Sequence, residues 1–347
     1  MTAIGPRPPP PPTTDPATAP GTGPAPAPAP AAGASGPAPA SEAGRLALPS
    51  WYPADFDLDR AAAGARAIIE AQGEPPGSIG PGKAKRLVFV DADLTLINSS
   101  PPSRLVHKTT GEVLKHPETG AELALGLGPE RDAKKELAAL KARYPAVRWA
   151  DYRLDDSAYG SREEILKTPA IGSTVSTLKA SDRSPASRDF IITARRHATV
   201  PPALDEYLGK RKVDINGVFA VSHQPTAGRL GMVKFPSQQR KAIAMAALLK
   251  LYQPAEGRLD RVRFLDDTDK NLVAGMQLLP KLFPKTRFEF YDVVHKGGDR
   301  FERVLVAKSD LRRPGELVDA RGRVVTPEQI AAYKSADAPF PDRGGQR

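Results

Sequence analysis

Five short apolar runs are spaced along the chain, at residues 87–92, 189–194, 217–222, 261–266 and 287–294. Each is rich in Val, Ile, Phe or Leu and too short for a helix. Such continuous runs read as strands buried on both faces. Between them the spacing of apolar residues changes to the helical period, which predicts helices over 172–181, 201–210, 237–252 and 269–282. The helix at 237–252 follows Pro236-Ser237, a favourable entry. Strand–helix alternation of this kind predicts parallel βαβ units with right-handed crossovers. The expected fold class is α/β, a Rossmann-like parallel sheet sandwiched by helices.

Two regions depart from this rhythm. Upstream, Leu58, Ala62, Ala65, Ile68 and Ile69 lie at helical spacing and predict a helix within 51–73, closed by Gly73 and Pro75-Pro76. A linker is expected over 77–82. Downstream of the first strand, residues 98–186 form a stretch far longer than a crossover requires. It contains an expected hairpin (Leu105-Val106-His107, a Thr110-Gly111 turn, then Glu112-Val113-Leu114) and an expected helix near 129–143. A small inserted cap, serving as a lid, is the expectation. The implied organisation is a tail over 1–47, a helix and linker over 48–82, a main domain over 83–310 and a basic C-terminal extension over 311–347.

Composition adjusts this picture at the N-terminus. Of 37 prolines, 15 fall in the first 50 residues, and the Pro/Ala/Gly runs at 8–12 and 25–30 offer little to bury. A disordered tail is expected there. The net charge of +10 does not come from that tail. Basic residues recur in 83–86, at Lys134-Lys135, Arg195-Arg196, in 210–212 and at Arg312-Arg313. This favours an anionic substrate or a nucleic-acid backbone, with a plain basic surface as the alternative. No run approaches the roughly 18 apolar residues of a membrane span, and the N-terminus lacks the order of a secretory signal. A cytoplasmic protein is expected, with an exported effector as the weaker alternative. The absence of cysteine excludes disulfides, thiolate metal sites and cysteine nucleophiles.

The candidate chemistry collects at predicted strand ends. The first strand runs into Asp91 and Asp93, one residue apart, with Thr95 two further on. Carboxylates that close repel unless a cation or a proton relieves them, and open α/β sheets place ligands at this rim. The second strand ends in Thr193, before Arg195-Arg196. Helix 237–252 carries Lys241 in its first turn, with Lys234 as a competitor. Another strand ends in Asp266-Asp267, with Asn271 following. Phosphoryl transfer needs a carboxylate nucleophile, an acid–base, oxygen ligands for Mg²⁺, and a hydroxyl and an ammonium facing the transferring oxygens. The chain offers each in order.

These residues resemble the haloacid dehalogenase superfamily of phosphohydrolases. Asp91-Ala-Asp93-Leu-Thr95 is similar to its first motif, Phe190-Ile-Ile-Thr193 to the second, Lys241 to the third and Phe264-Leu-Asp266-Asp267 to the fourth. The resemblance covers roughly 85–295. It implies Asp91 as nucleophile and metal ligand, and Asp93 as general acid/base with its carbonyl facing Mg²⁺. Thr193 would hold a phosphoryl oxygen and Lys241 would offset its charge. Asp267 would complete the metal site, supported by Asp266 or Asn271. The implied activity is Mg²⁺-dependent phosphate monoester hydrolysis through an aspartyl phosphate, on a phosphorylated small molecule or a nucleic-acid end. The pattern Ile192-Thr-Ala-Arg195 looks most like the branch related to polynucleotide-repair phosphatases. An effector or binding module that keeps the fold is the alternative from another class.

Other residues read as structural. Asp269 reads as a first-turn helix acid. Arg195 and Arg196 read as surface cations, with a substrate-phosphate contact as the alternative. The histidines at 107, 116, 197, 223 and 295 lack metal-ligand spacing. Residues 157–161, with Tyr159, read as loop.

Overall fold

The computed structural model describes residues 47–73, 80, 82–99, 101–125, 133–254 and 258–334. The expected tail up to residue 46, all but two residues of the expected linker and the last thirteen residues lie outside them.

The apolar runs become the centre of an eight-stranded sheet. Its strands are β1 (Arg86–Val90), β5 (Ser187–Thr193), β6 (Gly217–Ala220), β7 (Arg261–Asp266), β8 (Phe288–His295), β9 (Phe301–Ser309), β10 (Leu317–Val318) and β11 (Val324–Val325). The order across the sheet is β11-β10-β9-β8-β7-β1-β5-β6. Strands β8, β7, β1, β5 and β6 are parallel to one another, and β9, β10 and β11 continue antiparallel from β8. The first strand is thus central, flanked by β5 and β7. The chain past residue 310, expected as an extension, instead adds β10 and β11 to the same sheet.

Helices cover both faces, as buried parallel strands require. One face carries α1 (Leu58–Gln72), α7 (Ser237–Tyr252) and α8 (Asp269–Leu282), packed on Leu87, Phe89, Phe190 and Phe264. The other carries α4 (Gly172–Asp182) and α5 (Val200–Gly209), packed on Val88, Val90, Ile191 and Leu265. Strand alternation divides each apolar run between two cores. Helix α7 is buried along most of its length. Its mid-sheet position explains the alanines and leucines all round it. Helix α9 (Pro327–Ala331) is closed by a Thr326–Gln329 capping box, and Tyr333 donates to Asp292 Oδ2 at 2.8 Å.

The insertion is a small unit of its own. A three-stranded sheet has the order β3-β2-β4, with β2 (Ser103–His107), β3 (Ala124–Leu125) and β4 (Tyr152–Asp155). Helix α2 (Ala133–Arg143) belongs to this unit, which has its own apolar cluster of Leu105, Leu123 and Leu125. The expected turn forms, with His107 N donating to Glu112 O and Gly111 at φ 75°. It closes only an isolated Val106–Val113 bridge. The continuous ladder of β2 is with β4. Helix α3 (Arg162–Lys167) returns the chain to α4. Among the described residues no helix is long and apolar enough to cross a membrane.

Candidate active site

Strand register brings the candidate residues to one rim. Val90 pairs with Ile191 on one side and Leu265 on the other, so Asp91, the β5 end and the β7 end lie side by side. The turn after β1 is tight. Leu96 and Ile97 N both donate to Ala92 O at 2.9 Å, and Leu94 N donates to Ile97 O at 2.8 Å. Leu94 holds φ 54°, a left-handed conformation costly for a residue with a Cβ. This turn separates two carboxylates that a continuing strand would turn to the same face.

Asp91 is buried, and its Oδ2 lies 2.8 Å from Lys241 Nζ. Lys241, the fifth residue of α7, also touches Asp266 Oδ2 at 2.9 Å. Burial alone would lower the Lys241 ammonium's pKa, but the Asp266 and Asp91 carboxylates outweigh it and raise it. Asp266 is saturated on its other oxygen, accepting from Thr268 N at 2.9 Å and Asn271 Nδ2 at 2.8 Å. Its carboxylate therefore anchors Lys241 and the start of α8. Lys234 is exposed, beside Phe235 and away from this cluster.

Asp267 completes the group. One oxygen each of Asp91, Asp266 and Asp267 lies within 4.8 Å of the others. Thr95 Oγ1 donates to Asp267 Oδ1 at 3.2 Å. Burial raises the Asp91 carboxyl to about 7, against the pull of Lys241 and with a further push from Asp266 and Asp93. Burial, then Asp266 and Asp91, raises Asp267 well above the ordinary carboxylate range. The oxygen-only donor set and the mutual repulsion fit a hard divalent cation. With Asp266 saturated, Asp91 and Asp267 are the carboxylates best placed to hold it. Asp93, also expected at the metal, directs its carboxylate elsewhere, and only its backbone carbonyl remains for that role.

Asp93 is paired with Arg195. Nε donates to Oδ2 at 3.0 Å and Nη2 to Oδ1 at 2.5 Å, a bidentate fork. Arg195 is only 4 % exposed, so its reading as a surface cation is corrected. Its Nη1 donates to Tyr159 O at 2.5 Å, and its guanidinium carbon lies 5.5 Å from the centre of the Tyr159 ring. Thr193 is buried, and its Oγ1 accepts from Arg195 N at 3.2 Å. Arg196 pairs with Asp156 in the insertion's return segment.

That return segment is pressed onto the rim. Thr199 Oγ1 donates to Gly160 O at 2.5 Å. A Cβ on Gly160 would stand 2.3 Å from His197 Cγ, so only glycine admits this approach. Tyr159 is the site residue that sequence reasoning treated as loop filling. The signal was the small-residue spacing around it, Ser157, Ala158, Gly160 and Ser161. Of the histidines, His107, His116 and His223 sit on local turns, His295 is next to Gly298 O, and none joins the acidic group. Asp269 caps its own turn, accepting from Lys270 N. Compared with family models, curated proteins and solved structures, the chain matches none.

Proposed function

We propose that the rim is the active site of a Mg²⁺-dependent phosphate monoester hydrolase of the haloacid dehalogenase type. The observation that carries this reading is Lys241 bridging Asp91 and Asp266 beside Asp267. A lone buried acidic pair needs no third carboxylate and no ammonium shared between strands. Phosphoryl transfer uses both.

In this reading an Asp91 oxygen attacks phosphorus and the bond to the leaving oxygen breaks. Asp93 gives that oxygen its proton, then takes one from the water that hydrolyses the acyl phosphate, restoring Asp91. Arg195 fixes the orientation of the Asp93 carboxyl throughout. Lys241 and the Thr193 hydroxyl offset charge on the transferring oxygens. A cation held by Asp91, Asp267 and the Asp93 carbonyl would neutralise substrate charge and align it. Tyr159 and its neighbours make the insertion a lid that excludes water and selects substrate.

Phosphate release tests the reading. The full chain with Mg²⁺, screened on sugar phosphates, nucleotides and 3′- or 5′-phosphorylated oligonucleotides, should turn over at least one class. Asp91→Asn should abolish that turnover. Turnover of oligonucleotide ends alone would assign the polynucleotide branch. A folded, Mg²⁺-binding protein inactive on every class would favour a binding module.

A further inference from the structure

At the opposite end of β1 from Asp91, about 16 Å away along five residues, lies a polar cavity of about 220 Å³. Arg86, Arg261, Arg263, Ser181, Ser184 and Ser187 line it. Register explains the concentration of charge. Arg86 pairs with Arg261 and with Ser187, and Arg263 pairs with Glu289, so the alternation of strands turns all of them to one face. Like charges directly opposite on a sheet are unfavourable, and here two arginines face each other on adjacent central strands.

The acids nearby do not cancel this charge. Glu289 takes Arg261 Nε at 3.3 Å, Arg263 Nε at 3.1 Å and Arg287 Nη2 at 3.3 Å, one carboxylate among three guanidiniums. Each guanidinium has five donors, so the contact fixes the forks without exhausting them. The Arg86 guanidinium has no ion-pair or hydrogen-bond partner among the described residues. Asp189 lies beneath the serines and accepts from Ser181 Oγ at 2.5 Å. Burial holds its carboxyl up at about 7, so it adds little negative charge below neutrality. Ser184 and the three arginines remain as donors to the cavity.

We propose that this cavity is a second anion site, built to bind a phosphoryl group through Arg86, Arg261 and Arg263. Its volume is below that of pockets for drug-sized ligands, and arginine forks match tetrahedral oxyanions bidentately. The site is independent of the chemistry assigned to the Asp91 rim.

Arginine-specific modification with phenylglyoxal, mapped residue by residue on the full chain, tests this directly. Inorganic phosphate should protect Arg86 and Arg261 saturably, at constant ionic strength, and leave the exposed Arg66 of α1 reactive. Arg86→Glu alters an exposed, unpartnered side chain, so the melting temperature should hold. The phosphate concentration that protects Arg261 should rise at least about tenfold. No protection, equal protection at Arg66, or protection unchanged in Arg86→Glu would overturn the site. Repeating the mapping with decathymidylate distinguishes sources. Protection by the oligonucleotide assigns a phosphodiester backbone, and protection by inorganic phosphate alone assigns a free phosphate or monoester.

Discussion

Arg195 holds Asp93 in a bidentate ion pair, with contacts of 2.5 and 3.0 Å, and the same guanidinium donates to the carbonyl of Tyr159. One buried side chain thus joins the proposed acid–base to the segment where the insertion returns to the sheet. Substitution should separate positioning from bulk stability. Arg195→Gln should lower kcat by about ten- to a hundredfold, part of the roughly 10²–10⁴-fold that general acid–base catalysis supplies. Arg195→Lys should restore little, because an ammonium cannot reproduce the fork. Steady-state kinetics over a range of pH check this. A variant that changes only KM would assign Arg195 to substrate contact instead.

Lys241 compensates two buried carboxylates. Lys241→Met should therefore destabilise the fold by about 3–5 kcal/mol, the cost of leaving a buried charge unpaired. Adding Asp266→Asn should recover part of it. Urea denaturation of the two single variants and the double variant reads the coupling. Additive losses would mean that Lys241 and Asp266 do not act as a pair.

Divalent cation should stabilise the parent protein. Mg²⁺ binding to the folded state alone contributes about 2.7 kcal/mol at a hundredfold excess over Kd. Thermal unfolding with Mg²⁺, against Na⁺ at matched ionic strength, should show a higher Tm. Asp267→Asn should need more metal for the same shift. An identical response in the two proteins would remove Asp267 from the metal site.

Asp189 gives a pH signature away from the candidate active site. Its carboxyl is raised from 3.8 to about 7, chiefly by burial. Between those values the folded state binds the extra proton, so stability is full below about pH 4 and falls as pH rises through about 7. At about 1.4 kcal/mol per unit, the change amounts to about 4 kcal/mol. Asp189→Asn should remove it, making the variant the more stable protein at about pH 8. Denaturation midpoints across this range check the sign. A variant that stays less stable than the parent at alkaline pH would contradict it.

The parallel strands were legible because each is a run of apolar residues buried on both faces, and their ends carried the acids and hydroxyl that the register brings together, with Lys241 joining them from α7. The rest lies where local signals weaken. Strand β9 reads Phe-Glu-Arg-Val-Leu-Val-Ala-Lys-Ser, a mixed run from the antiparallel side of the sheet, and β10 and β11 have only two residues each. The ladder of β2 with β4 joins segments about 45 residues apart, whereas the nearer Thr110-Gly111 turn offered an obvious local partner. Arg195 looked like a surface cation because its burial depends on Asp93 and Tyr159, distant in sequence. The choice of Lys241 over Lys234 likewise needed the packing of α7, which no spacing rule supplies.

The central claim is that Asp91 becomes phosphorylated, and trapping tests it most directly. The full chain is mixed with Mg²⁺ and a substrate found by the phosphate-release screen, quenched, reduced with borohydride and mapped by peptide mass spectrometry. An acyl phosphate at Asp91 should be recovered as homoserine at position 91, only when substrate is present and not in Asp91→Asn. Turnover with an unmodified position 91, or an Asp91→Asn protein that hydrolyses the substrate at the parent rate, would contradict the mechanism.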